Sequence, residues 1–235
     1  MKILNLTFAS PAQNLSCDEV LLDLCDRGYP HEIIRFWSPA THFVVLGYSN
    51  EAKNEVHMDF CHSHGIPVFK RCSGGGTVLQ GPGCLNYSLV LLLGSGRPIK
   101  GISSTNHFIM ETHQQALEKL LSRPVFVKGD TDLAVNEVKF SGNSQRRKRK
   151  AVLFHGTFLL NFDLPLIGRS LKMPSREPAY RRGRRHEEFL VNLKRPASEI
   201  KDALKKAWGA ERAMEDIPFE KIDELANTRY SPMIS

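Results

Sequence analysis

The amino-acid sequence predicts an α/β (α+β) fold, a mixed and largely antiparallel sheet flanked by helices. Three observations carry that expectation. Few helical segments stand among many short runs rich in β-branched and aromatic residues. Those runs are bounded by Pro, Gly, Ser or Asn, the residues that turn a chain. The 235 residues are 41% hydrophobic and 24% charged, the composition of a globular protein with enough chain to bury a sizeable core. Residues 1–235 are read as one domain.

Taken in order, Met1 to Asn5 reads as a first strand. Residues 14–27 read as a helix: Asn14 or Ser16 can cap it, Leu15, Val20, Leu21 and Leu24 recur near the helical period, and Gly28 stops it. Strands are expected at 33–37, 43–46, 67–70 and 87–93. A second helix is expected over about 105–121, where Phe108, Ile109, Ala116, Leu117, Leu120 and Leu121 form one apolar face. Further strands follow at 125–127, 133–135, 138–141 and 157–162, separated by turn-like steps. Residues 165–195, with Pro165, Pro174, Pro178 and a cluster of Arg, read as a long crossing loop. A helix resumes near 198 with Ile200, Ala203, Leu204 and Trp208 on one face and Gly209 just past its end, and a short amphipathic piece spans about 218–227.

Several classes are excluded. The longest aliphatic run, Leu89 to Leu93, is far below the ~18 apolar residues of a membrane span. The first residues look like neither a secretory nor a transit segment, so a cytoplasmic protein is expected. Five cysteines, Cys17, Cys25, Cys61, Cys72 and Cys84, are odd in number and lie in no metal-ligand spacing. The net charge of +7 favours anionic partners. The basic clusters at 146–150 and 181–185 read mostly as solvated loops, with docking of an acidic protein domain next.

Three constellations carry chemistry. The first is Arg71-Cys72-Ser73-Gly74-Gly75-Gly76-Thr77-Val78, with Gly81-Pro82-Gly83 and Asn86-Tyr87-Ser88 behind it. Consecutive glycines let backbone N–H groups approach a ligand and form an anion-binding nest, and Arg71 adds a cationic fork suited to phosphate. A β-branched residue at Gly75 or Gly76 would block that approach. The pattern is neither a Walker loop nor a dinucleotide fingerprint. The second runs from Gly129-Asp130-Thr131-Asp132-Leu133 to Lys139-Phe140-Ser141-Gly142-Asn143-Ser144-Gln145-Arg146, where a lysine at a strand end can meet a polarised carbonyl or a phosphate oxygen. The third is His155-Gly156-Thr157-Phe158-Leu159-Leu160.

In this order, together with Asn14-Leu15-Ser16-Cys17-Asp18-Glu19, Val44-Val45-Leu46-Gly47 and Thr228-Arg229-Tyr230, the blocks resemble the lipoate–protein ligase family of the biotin/lipoate ligase superfamily. The resemblance covers nearly the whole chain. It implies a two-step reaction: lipoate and ATP give lipoyl-adenylate, and a lysine of an acceptor lipoyl domain then takes the acyl group. ATP and Mg²⁺ would be cofactors and lipoate the substrate. Apo lipoyl-domain proteins, such as 2-oxoacid dehydrogenase E2 subunits and glycine cleavage H protein, would be partners, with no membrane or nucleic acid. Lys139 matches the family's invariant lysine and would be catalytic, bridging acyl carbonyl and phosphate. Arg71, Ser73, Gly74, Gly75, Gly76, Thr77, Val78, Leu79, Lys139 and Asp132 would bind ATP and the adenylate. Lys139, His155, Gly156 and Thr157 would bind the lipoyl group, and Asp132 would help to hold Mg²⁺ or the incoming amine.

Gln80 stands where the family often has His. The sequence also stops five residues after Tyr230, so the C-terminal accessory domain of larger members is expected to be absent. A separate accessory chain, docking near Ile200 to Trp208, could supply it. Two alternatives complete the reading: an octanoyl or lipoyl transferase working without ATP or from preformed lipoyl-adenylate, and a basic nucleic-acid-binding module. The transferases use a cysteine just before the conserved lysine or after the His-Gly block, and no cysteine follows Cys84.

Overall fold

The computed structural model describes residues 1–233. Strand β1 (Lys2–Asn5) and helix α1 (Pro11–Asp26) lead into β2 (Ile33–Trp37) and β3 (Phe43–Leu46). Two short helices, α2 (Ala52–Glu55) and α3 (Met58–Ser63), precede β4 (Val68–Lys70), β5 (Val78–Gln80) and β6 (Cys84–Leu92). Helix α4 (Ile102–Leu121) is followed by β7 (Phe126–Lys128), β8 (Asp132–Val135), β9 (Val138–Arg147) and β10 (Ala151–Leu159). The last third holds α5 (Leu164–Ser170), one 3₁₀ turn at Ala179–Arg181, α6 (His186–Phe189), α7 (Ala197–Trp208), β11 (Arg212–Ala213) and α8 (Phe219–Arg229).

Eight strands form one mixed sheet in the order β11-β1-β2-β6-β10-β9-β8-β7, and β4-β3-β5 form a second, smaller sheet. In the large sheet β1 runs parallel to both neighbours, and the remaining pairs are antiparallel. Alternation along β6 and β10 divides the core. Leu85, Tyr87, Leu89, Val152, Phe154 and Phe158 pack with Ile109 and Leu117 of α4 and Ile200 and Leu204 of α7. On the other face Val90, Ala151 and Leu153 meet Cys17, Leu21 and Leu22 of α1 and Ile222 of α8. Each such apolar side chain taken fully from water contributes about 1.5–3 kcal/mol.

Several expectations need correction. Helix α1 begins three residues earlier than Asn14, because Pro11 fits the first turn, where an N–H would have no partner. Asn14 is no cap; its amide is buried and bonds the backbone N–H and carbonyl of Phe8. The expected strand at 157–162 catches only the end of β10, which starts at Ala151 and forms a hairpin with β9. The long loop over 165–195 contains α5, α6 and the 3₁₀ turn. Its arginines are not all solvated: Arg181 is buried, and Arg184 donates to the carbonyls of Tyr180 and Glu137. Likewise Arg147 donates to the carbonyls of Ile99 and Lys100, and Lys148 pairs with Asp23. The proposed docking face on α7 is closed, since Ile200, Leu204 and Trp208 belong to the chain's own core. Gly209 does end that helix, at φ +57°.

Candidate active-site cleft

Strand register assembles the cleft floor. Arg35 lies opposite Ser88, Ser88 opposite His155, and His155 opposite Ser144. One step along, Trp37, Asn86, Thr157 and Gly142 form a parallel row. Polar residues thus share the sheet face that elsewhere packs against α1. The glycine loop between β4 and β5 crosses over them. The resulting cleft, about 260 Å³, is lined by apolar Leu15, Trp37, Val45 and Val78 and by polar Asp18, Lys139, Ser144 and His155. A second cavity of about 160 Å³ is lined by Leu159, Ile167, Leu171 and Phe189 with Lys172 and Arg176 at its basic side. Gly76, Thr77, Val78, Lys139, Gly142 and Thr157 line both.

Arg71 shapes the loop from within. Its Nη2 donates to the carbonyls of Gly74 at 2.6 Å and Gly76 at 2.8 Å, and its Nε donates to Ser73 Oγ at 3.0 Å. Burial pulls this guanidinium down to about 10, still cationic at neutral pH. With carbonyls committed to Arg71, the guanidinium fork serves mainly the loop rather than standing free for phosphate. Gly75 sits at φ +85°, and a Cβ there would lie 3.0 Å from Arg71 Nη2. Gly74 and Gly76 have no such restriction: neither has a positive φ, and nothing lies within 4 Å of an added Cβ. Gly47 is the unanticipated constraint, because a Cβ there would meet the Gly75 carbonyl oxygen at 2.0 Å.

Lys139 projects into the junction of the two cavities. Its Nζ is 2.6 Å from Asp132 Oδ1, and Tyr180 donates its hydroxyl to Asp132 Oδ2 at 2.9 Å. A Cβ on Gly142 would stand 2.7 Å from that Nζ, so glycine leaves the groove in which the lysine lies. Asp132 could hold Mg²⁺ only as a single carboxylate beside substrate phosphates, not as part of a protein cage. One of its oxygens faces Lys139 and the other accepts from Tyr180, each keeping a further lone pair, and among the described residues no three His, Cys, Asp or Glu side chains converge. Magnesium retains water and phosphate oxygens as ligands, and this cleft offers it no protein cage.

Of the expected lipoyl-contacting residues, His155, Gly156 and Thr157 all line the larger cleft. Thr157, however, is part of a closed ring: Gln80 Nε2 donates to Thr157 Oγ1 (2.7 Å), Thr157 donates to Asn86 Oδ1 (2.5 Å), and Asn86 Nδ2 donates to Gln80 Oε1 (2.9 Å). Gln80 therefore builds the floor in place of a histidine. Gly156 makes room for Asn143, whose Oδ1 would be 1.7 Å from an added Cβ. His155 Nε2 is 2.6 Å from Ser73 Oγ and its Nδ1 is 3.4 Å from Asp18 Oδ2. Asp18 Oδ1 pairs with the fully buried Arg35 at 2.6 Å. Burial pushes the Asp18 carboxyl up, but Arg35 and the bond from His155 outweigh it and hold it below the usual range.

Asp18, Arg35, Gln80 and Asn86 escaped the sequence reading as site residues. The signal was present for Asn86 and Ser88, and for His155 and Thr157: polar residues at i and i+2 on one side of otherwise apolar strands. All five cysteines are buried, and burial raises the thiols of Cys17, Cys25, Cys72 and Cys84 to about 12. None is poised as a thiolate.

The profile of the lipoyl protein ligase A/B catalytic domain matches residues 10–217 of this chain. The chain belongs to that family. Among relatives, Lipoate–protein ligase 1 of Staphylococcus aureus is 25% identical over 97% of this chain and 70% of its own length. Octanoyltransferase LipM of Brevibacillus brevis is 26% identical over 94% of this chain and 93% of its own. A crystal structure of lipoate-protein ligase A bound with ATP superposes with a TM-score of 0.80 at 24% identity, covering 96% of this chain and 92% of that one, and shares the fold. The family therefore holds both ligases and octanoyltransferases, and this chain is an enzyme of the ligase/transferase family.

Proposed function

We propose that the protein is an ATP-dependent lipoate–protein ligase. The observation that supports this most is Lys139, held where a cleft with one apolar wall and a polar floor meets a cavity with a basic side, below a glycine loop. The acyl chain would lie against Leu15, Trp37 and Val45, with its carboxylate reaching Lys139. The triphosphate would enter from the side of Lys172 and Arg176. In the first step a lipoate carboxylate oxygen attacks the α-phosphorus, the bond to the β-phosphate breaks, and pyrophosphate leaves. In the second, the neutral amine of an acceptor lysine attacks the acyl carbonyl, AMP leaves with the bonding pair, and the nitrogen gives up one proton to water. Lys139 carries three donors. One stays on Asp132, which fixes the ammonium, and the others face the carbonyl and phosphate oxygens as charge develops. Loop N–H groups, left free by the bonds of Arg71 to the loop carbonyls, would add fixed dipoles that need little reorganisation. The acceptors would be apo lipoyl-domain proteins, such as E2 subunits and H protein.

The near full-length match to LipM favours a second reading, octanoyl transfer. Its chemistry needs a nucleophile at the cleft, and the buried, raised thiols supply none. Single-turnover transfer from synthetic lipoyl-adenylate, compared with turnover from lipoate plus ATP, tests the ligase reading. Modification in both assays is expected. Transfer from an octanoyl thioester without ATP, with no product from lipoate plus ATP, would replace it with the transferase.

A further inference from the structure

We propose that Asp18 and His155 are positioning residues, holding through Ser73 a one-directional hydrogen-bond chain that fixes the glycine loop from the cleft floor. Proton bookkeeping gives the direction. Arg71 Nε–H donates to Ser73 Oγ, and guanidinium nitrogens can only donate. Ser73 Oγ could accept a second bond, but among the described residues its buried hydroxyl hydrogen finds no acceptor except His155 Nε2, 2.6 Å away, so it is satisfied only by donating there. Nε2 is therefore bare, and the imidazole proton sits on Nδ1, facing Asp18 Oδ2 at 3.4 Å. Asp18, a carboxylate locked by Arg35, can only accept. Every group in Arg71→Ser73→His155→Asp18←Arg35 is thus satisfied in one sense alone.

The order Ser–His–Asp is that of hydrolase triads. Ser73, however, is 0% exposed and its oxygen is engaged by Arg71 and His155, so it presents no nucleophile to the cleft. Its place beside Gly74 gives it another use. The chain ties α1 and β10 to the loop whose backbone faces the ligand. Among the described residues the hydrogen bonds that lead from Asp18 to the loop run through His155 and Ser73. The effect on catalysis rests on the ligase reading; the direction of the chain does not.

Asp18→Asn tests this. Arg35 demands an oxygen, so the new amide nitrogen faces His155 Nδ1 and forces the imidazole proton onto Nε2. That proton then points at Ser73 Oγ, which already accepts from Arg71, and the serine loses its acceptor. Imidazole ¹⁵N spectra at neutral pH, assigned with His155→Gln, should show the Nδ1–H tautomer in the wild type and Nε2–H in Asp18→Asn, with shifted amides at Gly74, Gly75 and Gly76. Lipoyl-adenylate affinity should fall about tenfold in Asp18→Asn, the scale of one positioned hydrogen bond, and as much in Ser73→Ala. The double variant should be no weaker than Ser73→Ala. A wild-type Nε2–H tautomer or imidazolium, or additive losses, overturns the proposal. Should Asp18→Asn not fold, the wild-type tautomer and the loop amides of Ser73→Ala still decide it. A wild type that binds no lipoyl-adenylate, yet shows the Nδ1–H tautomer and the loop shifts, sinks the ligase reading and leaves the chain standing.

Discussion

Lys139 and Gly75 show how little covalent structure the cleft needs to be specific. Lys139 is partly exposed and pairs with Asp132, so truncating it removes charge more than packing. Lys139→Ala should keep its fold by circular dichroism and lose adenylate formation by roughly 100- to 1000-fold, the cost of one transition-state donor. Near-normal rates would remove Lys139 from the chemistry. Gly75→Val should lower both melting temperature and adenylate affinity more than Gly76→Val, because only Gly75 combines φ +85° with a crowded Cβ position. Equal melting temperatures would show that the loop relaxes. The glycines were legible because consecutive glycines mark themselves locally, whereas Lys139 stood out only through the family resemblance, and Ser141-Gly142-Asn143, read as a turn after it, lies inside β9. Arg35 and Asp18 were not legible. Each sits inside an apolar segment, and their pairing depends on the packing of α1 over β2, which no local pattern encodes.

At the scale of elements, β6 and β10 carry the lesson. Their apolar residues announced buried strands, while the start of β10 was hidden by the basic run that forms the hairpin turn. The pairing of α4 and α7 was foreseen only as two amphipathic helices. The structure adds a buried contact between them: Trp208 Nε1 donates to His113 Nε2 at 2.9 Å, and among the described residues His113 Nδ1 meets no partner. Burial pulls the His113 imidazole down to about 3. The unfolded chain takes up that proton near pH 6.5 and the folded chain refuses it, so stability falls as pH drops from 6.5 toward 3, by about 1.4 kcal/mol per unit. Urea unfolding at pH 7 and pH 5 should show the wild type losing roughly 2 kcal/mol more than His113→Gln across that interval. An equal loss in both would place the titration elsewhere.

For the whole molecule, the fold class and family were readable because the motifs occur in order along nearly the entire chain. The smaller sheet was not foreseen, because β5 is three residues long and follows directly on the glycine loop. The glycine loop joins two strands of the smaller sheet, β4 and β5, and reaches the larger sheet through Ser73 and His155, so it does both structural and chemical work. Buried thiols predict that a variant with all five cysteines replaced by Ala or Ser keeps acyl transfer, apart from packing losses. An acyl group trapped on Cys72 would contradict that.

The measurement closest to the central claim is the intact mass of an apo lipoyl domain after incubation with this protein, lipoate and Mg-ATP. The account predicts a gain of one lipoyl group that requires both ATP and Lys139. A gain that persists without ATP from an octanoyl thioester donor, or that survives Lys139→Ala, would contradict it.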